Sequence, residues 1–109
     1  MSRPPEFYLE MKERHGELIE AYESLSRAAR DAGPLDAKTA ALSKLALSVG
    51  AGMEGSTHSS VRKALATGCS PEAIRHVVLL GVTTLGFPST MRARAWVEDV
   101  LGSDRKPPG

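Results

Sequence analysis

A glutamate and a histidine stand four positions apart in the middle of the chain, at Glu54 and His58. Residues at this spacing lie on the same face of an α-helix. A carboxylate next to an imidazole can orient the ring and raise its basicity, which suits general acid–base catalysis. The two side chains could also supply ligands to a metal ion, or form an ordinary helix pair worth ~0.2–0.5 kcal/mol. We expect Glu54 and His58 to be catalytic residues of a non-thiol site.

Four hydroxyl side chains surround this pair, namely Ser56, Thr57, Ser59 and Ser60. Residues with short hydroxyl side chains are poor helix formers, so their concentration here needs a reason. One interpretation is a polar pocket wall that binds a small oxygenated ligand. The other, which the sequence favours, is a helix cap followed by a solvated first turn.

A second histidine, His15, falls on an apolar stripe between Met11 and Leu18. This position indicates a partly buried histidine with a structural role. The alternative is that His15 joins Glu54 and His58 as a third ligand, because two histidines and a glutamate are enough to hold a catalytic metal.

The remaining reactive side chains have plain structural interpretations. Glu72 and His76 repeat the four-residue spacing at the start of the next helix, where we expect both to face solvent. Cys69 is the one cysteine of the chain, so it forms no internal disulfide and fits a reducing compartment. A thiol peroxidase needs a second thiol to resolve the sulfenic acid, so we expect Cys69 to be a partly buried loop residue.

The elements that must position these residues are helices. Apolar residues recur at steps of three and four from Tyr8 to Ala29, which predicts a helical segment with a joint near His15. Further helices are predicted after Asp36, through His58 to Gly68, from Ser70-Pro71 to about Leu85, and from Phe87 to Gly102. The helix that starts at Ser70 is apolar nearly all round, so we expect it to be central or buried between subunits. The sequence predicts an all-α fold of five or six helices.

Length and composition limit the class of protein. The 109 residues are sufficient for one domain with its own core, which we place at residues 1–102, followed by a disordered tail at 103–109. Acidic and basic residues are interspersed and the net charge is +1, unlike the clustered charge of a nucleic-acid-binding protein. The apolar runs are far shorter than the ~20 residues of a membrane span. We expect a cytoplasmic protein that binds neither nucleic acid nor membrane.

The middle of the chain resembles the carboxymuconolactone decarboxylase / alkylhydroperoxidase D-like superfamily over about residues 35–100. The resemblance rests on an ordered set of segments: LDAKT at 35–39, LAL at 45–47, VRKALATG at 61–68, SPEAI at 70–74 and LGFP at 85–88. It implies an all-helical bundle that assembles into a homotrimer or homohexamer and holds a small-molecule pocket.

The redox branch of this superfamily carries a Cys-x-x-Cys-x-x-x-His motif and a glutamate that shuttles protons, and this chain departs from both. Aligned on the segment at 61–68, the two cysteines fall on Met53 and Ser56, the histidine on Ser60 and the glutamate on Ala41. We expect these four residues to line the pocket without thiol chemistry. The decarboxylase branch keeps the histidine, so its activity does not carry over cleanly to a chain with Ser60.

Three functions are compatible with this pattern. The favoured one is a non-redox, lyase- or hydrolase-like enzyme that uses Glu54 and His58 on a small organic acid, with a metal ion as the one cofactor that the residues could hold. The alternatives are antioxidant activity of the alkylhydroperoxidase or peroxiredoxin type, and a non-catalytic oligomeric binding protein. The sequence leaves open whether the protein is an enzyme.

Overall fold

The protein is all-α. The computed structural model describes residues 6–102, which contain no strand. Its six α-helices are α1 (Glu6–Arg14), α2 (Gly16–Asp31), α3 (Ala37–Gly50), α4 (Glu54–Thr67), α5 (Pro71–Leu79) and α6 (Phe87–Leu101), with a 3₁₀ turn at Leu80–Thr83. The predicted all-α fold of five or six helices is confirmed. No helix in this range is both long enough and apolar enough to cross a membrane.

The described residues fall into two compact units, α1–α2 and α3–α6. In the first unit the predicted joint is confirmed: α1 ends at Arg14, His15 has non-helical dihedrals, and Gly16 begins α2. The Tyr8 hydroxyl donates a hydrogen bond to the Glu23 carboxylate and ties the two helices together. The prediction of a single domain over residues 1–102 stays a prediction, and the predicted tail at 103–109 lies outside the described residues.

Helix α4 ends and helix α5 begins where the local sequence predicts. Gly68 ends α4 in the left-handed region, at φ 99°, which a residue without Cβ adopts most easily. Two residues later the Ser70 hydroxyl accepts a hydrogen bond of 3.1 Å from the Ala73 backbone N–H, and Pro71 occupies the first turn of α5. These signals determine the residues at which α4 ends and α5 begins. They therefore also influence the direction in which the chain continues to α6.

The helix predicted to run from Ser70 to about Leu85 is shorter than expected, because the chain tightens into the 3₁₀ turn after Leu79. It is also not central within the chain. Leu79 and Leu80 are 62% and 61% exposed, while Ile74 and Val78 are buried. The all-round apolar pattern therefore marks one face that packs on the core and another that stays uncovered in the single chain.

The core of the second unit gathers around α4, which packs against both α3 and α6. Its fully buried side chains are Leu45, Val61, Ala64, Ile74, Val78, Ala93 and Val97. Several are small, which lets the backbones of α4 and α6 approach closely. This packing determines which residues of α4 lie opposite which residues of α6.

An ion-pair network joins α5 to α6. Arg75 donates two hydrogen bonds to the Glu98 carboxylate, of 2.7 and 3.1 Å, and Arg94 donates a third of 2.9 Å. The hydrogen bond from Arg75 is the largest cause that lowers the pKa of Glu98 to about 2. Because Glu98 is mostly buried and bidentately paired, it anchors the C-terminal half of α6.

The Glu98→Gln variant should be less stable than the wild type by about 1–3 kcal/mol at pH 7, since it leaves two guanidinium groups without their carboxylate. The pKa of Glu98 is lower in the folded state than the ordinary value of 4.5 for a glutamate. Its contribution to stability is therefore present above pH 4.5 and lost as the pH falls towards 2. Urea unfolding at pH 7, 4 and 2.5 should show the gap between wild type and variant closing. A stability difference that stays constant down to pH 2.5 would contradict this assignment. The control is Glu10→Gln, which removes an exposed ion pair with Arg14.

A buried hydroxyl offers a second stability test. Thr57 is fully buried and its Oγ1 has no hydrogen-bond partner among the described residues, whereas the buried Thr90 donates 2.9 Å to the Gly86 carbonyl. Thr57→Val should raise the free energy of unfolding by about 1 kcal/mol, and Thr90→Val should lower it by about as much. Thermal melts would resolve both, since ~1 kcal/mol shifts Tm by ~4–8 °C in a domain of this size. Equal destabilisation by the two substitutions would show that Thr57 has a partner.

Candidate functional site

Glu54 and His58 share one face of α4, as the spacing predicts. Glu54 is the first residue of the helix and His58 lies one turn later. The structure adds a third side chain, Asp99 of α6, whose carboxylate oxygen lies 2.9 Å from His58 Nε2. One ligand atom from each residue lies within 4.8 Å of the other two, and we call Glu54, His58 and Asp99 the carboxylate–imidazole trio.

Sequence analysis missed Asp99 as a candidate site residue. It stands 41 positions after His58 and has no motif of its own. Its only local signal is its place beside Glu98, near the end of α6, whose buried positions include Ala93, Val97, Val100 and Leu101. The contact with His58 follows from how α4 and α6 pack, which the sequence pattern does not specify.

The trio is accessible from solvent. The side chain of His58 is 24% exposed and that of Asp99 is 57% exposed, and Glu54 is also exposed. Among residues 6–102, no lysine or arginine forms an ion pair with Glu54 or Asp99. Within the described residues, the site thus places two carboxylates near one imidazole, and neither carboxylate pairs with a lysine or an arginine.

The hydrogen bond between His58 and Asp99 defines what the ring can do. With a neutral ring, Nε2–H donates to Asp99, which fixes the tautomer and the ring orientation. A protonated ring forms an ion pair with the same carboxylate. Each of the three side chains can also donate an electron pair to a cation. The arrangement therefore suits proton transfer or cation binding.

The hydroxyl residues before and after His58 form a cluster that the sequence analysis did not foresee. Ser48 Oγ of α3 donates to the Lys44 carbonyl at 3.1 Å and lies 2.7 Å from Ser56 Oγ and 3.1 Å from Ser60 Oγ. Ser60 is buried, and the N-terminus of α4 has no side-chain cap. The favoured interpretation of a capped and solvated first turn is therefore wrong for this part of α4, because the hydroxyls pair across the α3–α4 contact.

The four residues expected to line a pocket fall in different settings. Ser56 and Ser60 belong to this hydroxyl cluster, Met53 precedes α4 with an exposed side chain, and Ala41 is half-buried against the core. None of them can form a thiolate or carry a proton as an imidazole or carboxylate would. Their role as pocket walls stays a prediction.

His15 and Cys69 do not belong to the trio. His15 is exposed, so the expectation of a partly buried histidine is wrong: it lies at the joint that precedes α2, in a unit where Ile19 is the one buried residue described. Among the described residues, the group that could hold a metal contains Asp99 and not His15. Cys69 is buried, as expected, with its Sγ 3.8 Å from the Lys38 carbonyl. Glu72 and His76 are both exposed, as predicted.

Comparison with known proteins gives one match. The family model described as Carboxymuconolactone decarboxylase family matches residues 16–99, which include every helix from α2 to α5 and most of α6. No curated protein and no solved structure matches the chain. The family match covers well over half of the sequence and contains the whole trio. The chain belongs to the carboxymuconolactone decarboxylase family.

Proposed function

We propose that this protein is an enzyme that acts on a small organic acid by acid–base chemistry at the carboxylate–imidazole trio, in a lyase- or hydrolase-like reaction without thiol chemistry. The observation that carries the proposal is the convergence of Glu54, His58 and Asp99 from two helices, with 2.9 Å between His58 Nε2 and Asp99 Oδ2. An imidazole held by a carboxylate and open to solvent has the components of a proton-transfer site.

The number and the burial of the cysteine side chains support a non-redox reaction. Peroxidase chemistry needs a reactive thiolate and a second thiol to resolve the oxidised product. Cys69 is the only cysteine of the chain, and its side chain is buried against the Lys38 carbonyl. Met53 and Ser56 occupy the positions that resemble those of the redox cysteines, and neither side chain can replace a thiol. Antioxidant activity is therefore the weaker alternative.

The reaction would use the three side chains in different ways. Asp99 orients the ring of His58, so Asp99 is a positioning residue. His58 and Glu54 lie where a bound substrate could exchange a proton with them. General acid–base catalysis by a positioned group contributes ~10²–10⁴ in rate. Because the trio lies on the surface of the single chain, a second subunit or the substrate itself would exclude water from it.

We also propose that the protein is a homo-oligomer, a trimer or a hexamer. The supporting observation is a set of exposed large apolar side chains along α5, the 3₁₀ turn and α6: Leu79, Leu80, Val82, Phe87 and Met91. Large exposed apolar side chains that cluster on a soluble protein commonly mark a protein–protein contact. A second copy of the chain is the partner expected to cover it.

The catalytic proposal predicts that His58→Gln lowers kcat/KM by ~10²–10⁴ towards whichever acid or carboxylated lactone of a small-molecule panel the wild type turns over. Asp99→Asn should lower it less than His58→Gln, since it disturbs orientation and leaves the ring in place. Cys69→Ser should retain the wild-type rate. His76→Gln is the matched control, because Glu72 and His76 have the same spacing and both are exposed. Unchanged turnover in His58→Gln, or its loss in Cys69→Ser with the fold intact, would contradict the proposal.

The assembly proposal predicts that the wild type shows no 11.6 kDa species in light scattering at micromolar concentration. Leu80→Glu should shift the protein towards that monomer, since a carboxylate buried in an apolar interface costs several kcal/mol. The matched control is Leu18→Glu, an equally exposed leucine of α2. A wild type that scatters only as a monomer would contradict the proposal.

A further inference from the structure

We infer that Glu54, His58 and Asp99 form a binding site for one divalent transition-metal ion. The inference rests on the proposed function in one respect, because it names the cofactor with which the trio would perform its acid–base chemistry. It stands on geometry and charge that are independent of any activity.

The distances suit a metal ion. Two neighbouring ligands of an octahedral ion lie about 2.9 Å apart when each is ~2.0–2.1 Å from the ion. His58 Nε2 and Asp99 Oδ2 have that separation. One ring nitrogen of His58 and one carboxylate oxygen each of Glu54 and Asp99 all lie within 4.8 Å of one another. Glu54 is exposed and has rotatable bonds that can close the remaining gap. An ion would replace the proton that His58 and Asp99 share in the metal-free protein.

The charges at the site also favour a cation. Two carboxylates carry two negative charges beside an imidazole that is neutral when it binds a metal. No lysine or arginine in the described part of the chain forms an ion pair with either carboxylate. The neighbouring Glu98, by contrast, is paired with Arg75 and Arg94. A divalent ion would neutralise the trio as the two arginines neutralise Glu98.

The helices hold the ligands in a fixed relation. Glu54 and His58 are one turn apart on α4, and Asp99 comes from α6, whose register is set by the buried contacts of Val97 and by the ion pairs of Glu98. Three protein ligands that leave the other coordination positions open are the pattern of catalytic metal sites, whereas structural zinc sites have four. An ion held in this way supplies Lewis acidity and makes a bound water more acidic.

The ligand types indicate which ion would bind. One imidazole nitrogen and two carboxylate oxygens suit Zn²⁺, Co²⁺ or Mn²⁺, while Ca²⁺ and Mg²⁺ prefer sites made entirely of oxygen. Without a thiolate, the affinity of the site for these ions should follow the general order, in which Mn²⁺ is bound more weakly than Co²⁺.

Calorimetric titration of Zn²⁺ into chelator-stripped full-length protein without a histidine tag tests the inference. We expect one saturable site per chain. Glu54→Gln, His58→Gln and Asp99→Asn should each weaken it by at least about tenfold. His76→Gln is the matched control and should bind Zn²⁺ as the wild type does, because the pair of Glu72 and His76 has no third ligand among the described residues. Zn²⁺ at a fixed concentration should raise the Tm of the wild type more than that of Asp99→Asn.

Cobalt gives a spectroscopic readout that does not depend on stability or turnover. Co²⁺ added to the wild type should produce a visible absorption band, and His58→Gln should remove it while His76→Gln keeps it. Absence of saturable binding, or equal weakening by His58→Gln and His76→Gln, would overturn the inference. If His58→Gln lost turnover but the wild type bound no metal, the metal-site inference would be overturned and the proposed function would stand. Metal binding with turnover unaffected by His58→Gln would support the inference and contradict the proposed function.

Discussion

The packing of α4 against α6 is the constraint on which the rest of the site depends. Small and medium apolar side chains fill this contact, with Val61 and Ala64 on one helix and Ala93 and Val97 on the other, all of them buried. Close-packed interfaces of this kind have few alternative registers, because a shift by one residue would expose apolar surface and open cavities. The register that results brings His58 to Asp99 although neither residue contributes to the core. The proximity of His58 and Asp99 is thus a consequence of the apolar packing between α4 and α6.

The same helix serves two polar clusters on two sides. Ser56 and Ser60 point to Ser48 of α3, while Glu54 and His58 meet Asp99 of α6. The helical period explains the division, since positions two apart on a helix lie on roughly opposite sides. Ser56 and Ser60 occupy the positions that resemble those of a cysteine and the histidine in the redox branch of the family. In this chain both hydroxyls lie within hydrogen-bond distance of the Ser48 hydroxyl of α3. The titratable side chains are instead on the side that faces α6.

Uncovered apolar surface is the second general feature. Leucines at the end of α5 and Phe87 at the start of α6 are exposed in the single chain. Burial of such residues contributes roughly 1.5–3 kcal/mol each, so their exposure in isolation is unfavourable. Assembly of several copies, as proposed above, would cover this surface.

The sequence by itself determined the helices, the joint at His15, the end of α4 at Gly68 and the start of α5 at Ser70, because caps, glycines and prolines act through bonds within a few residues. It also determined that Glu54 and His58 share a face, because helix geometry is local. Only the tertiary structure decided that Asp99 completes the trio, that Ser48 gathers Ser56 and Ser60, and that α5 is covered on one side only. Each of these depends on which helix faces lie against each other, and that arrangement is set by the summed packing of the whole core rather than by any residue's neighbours in the chain.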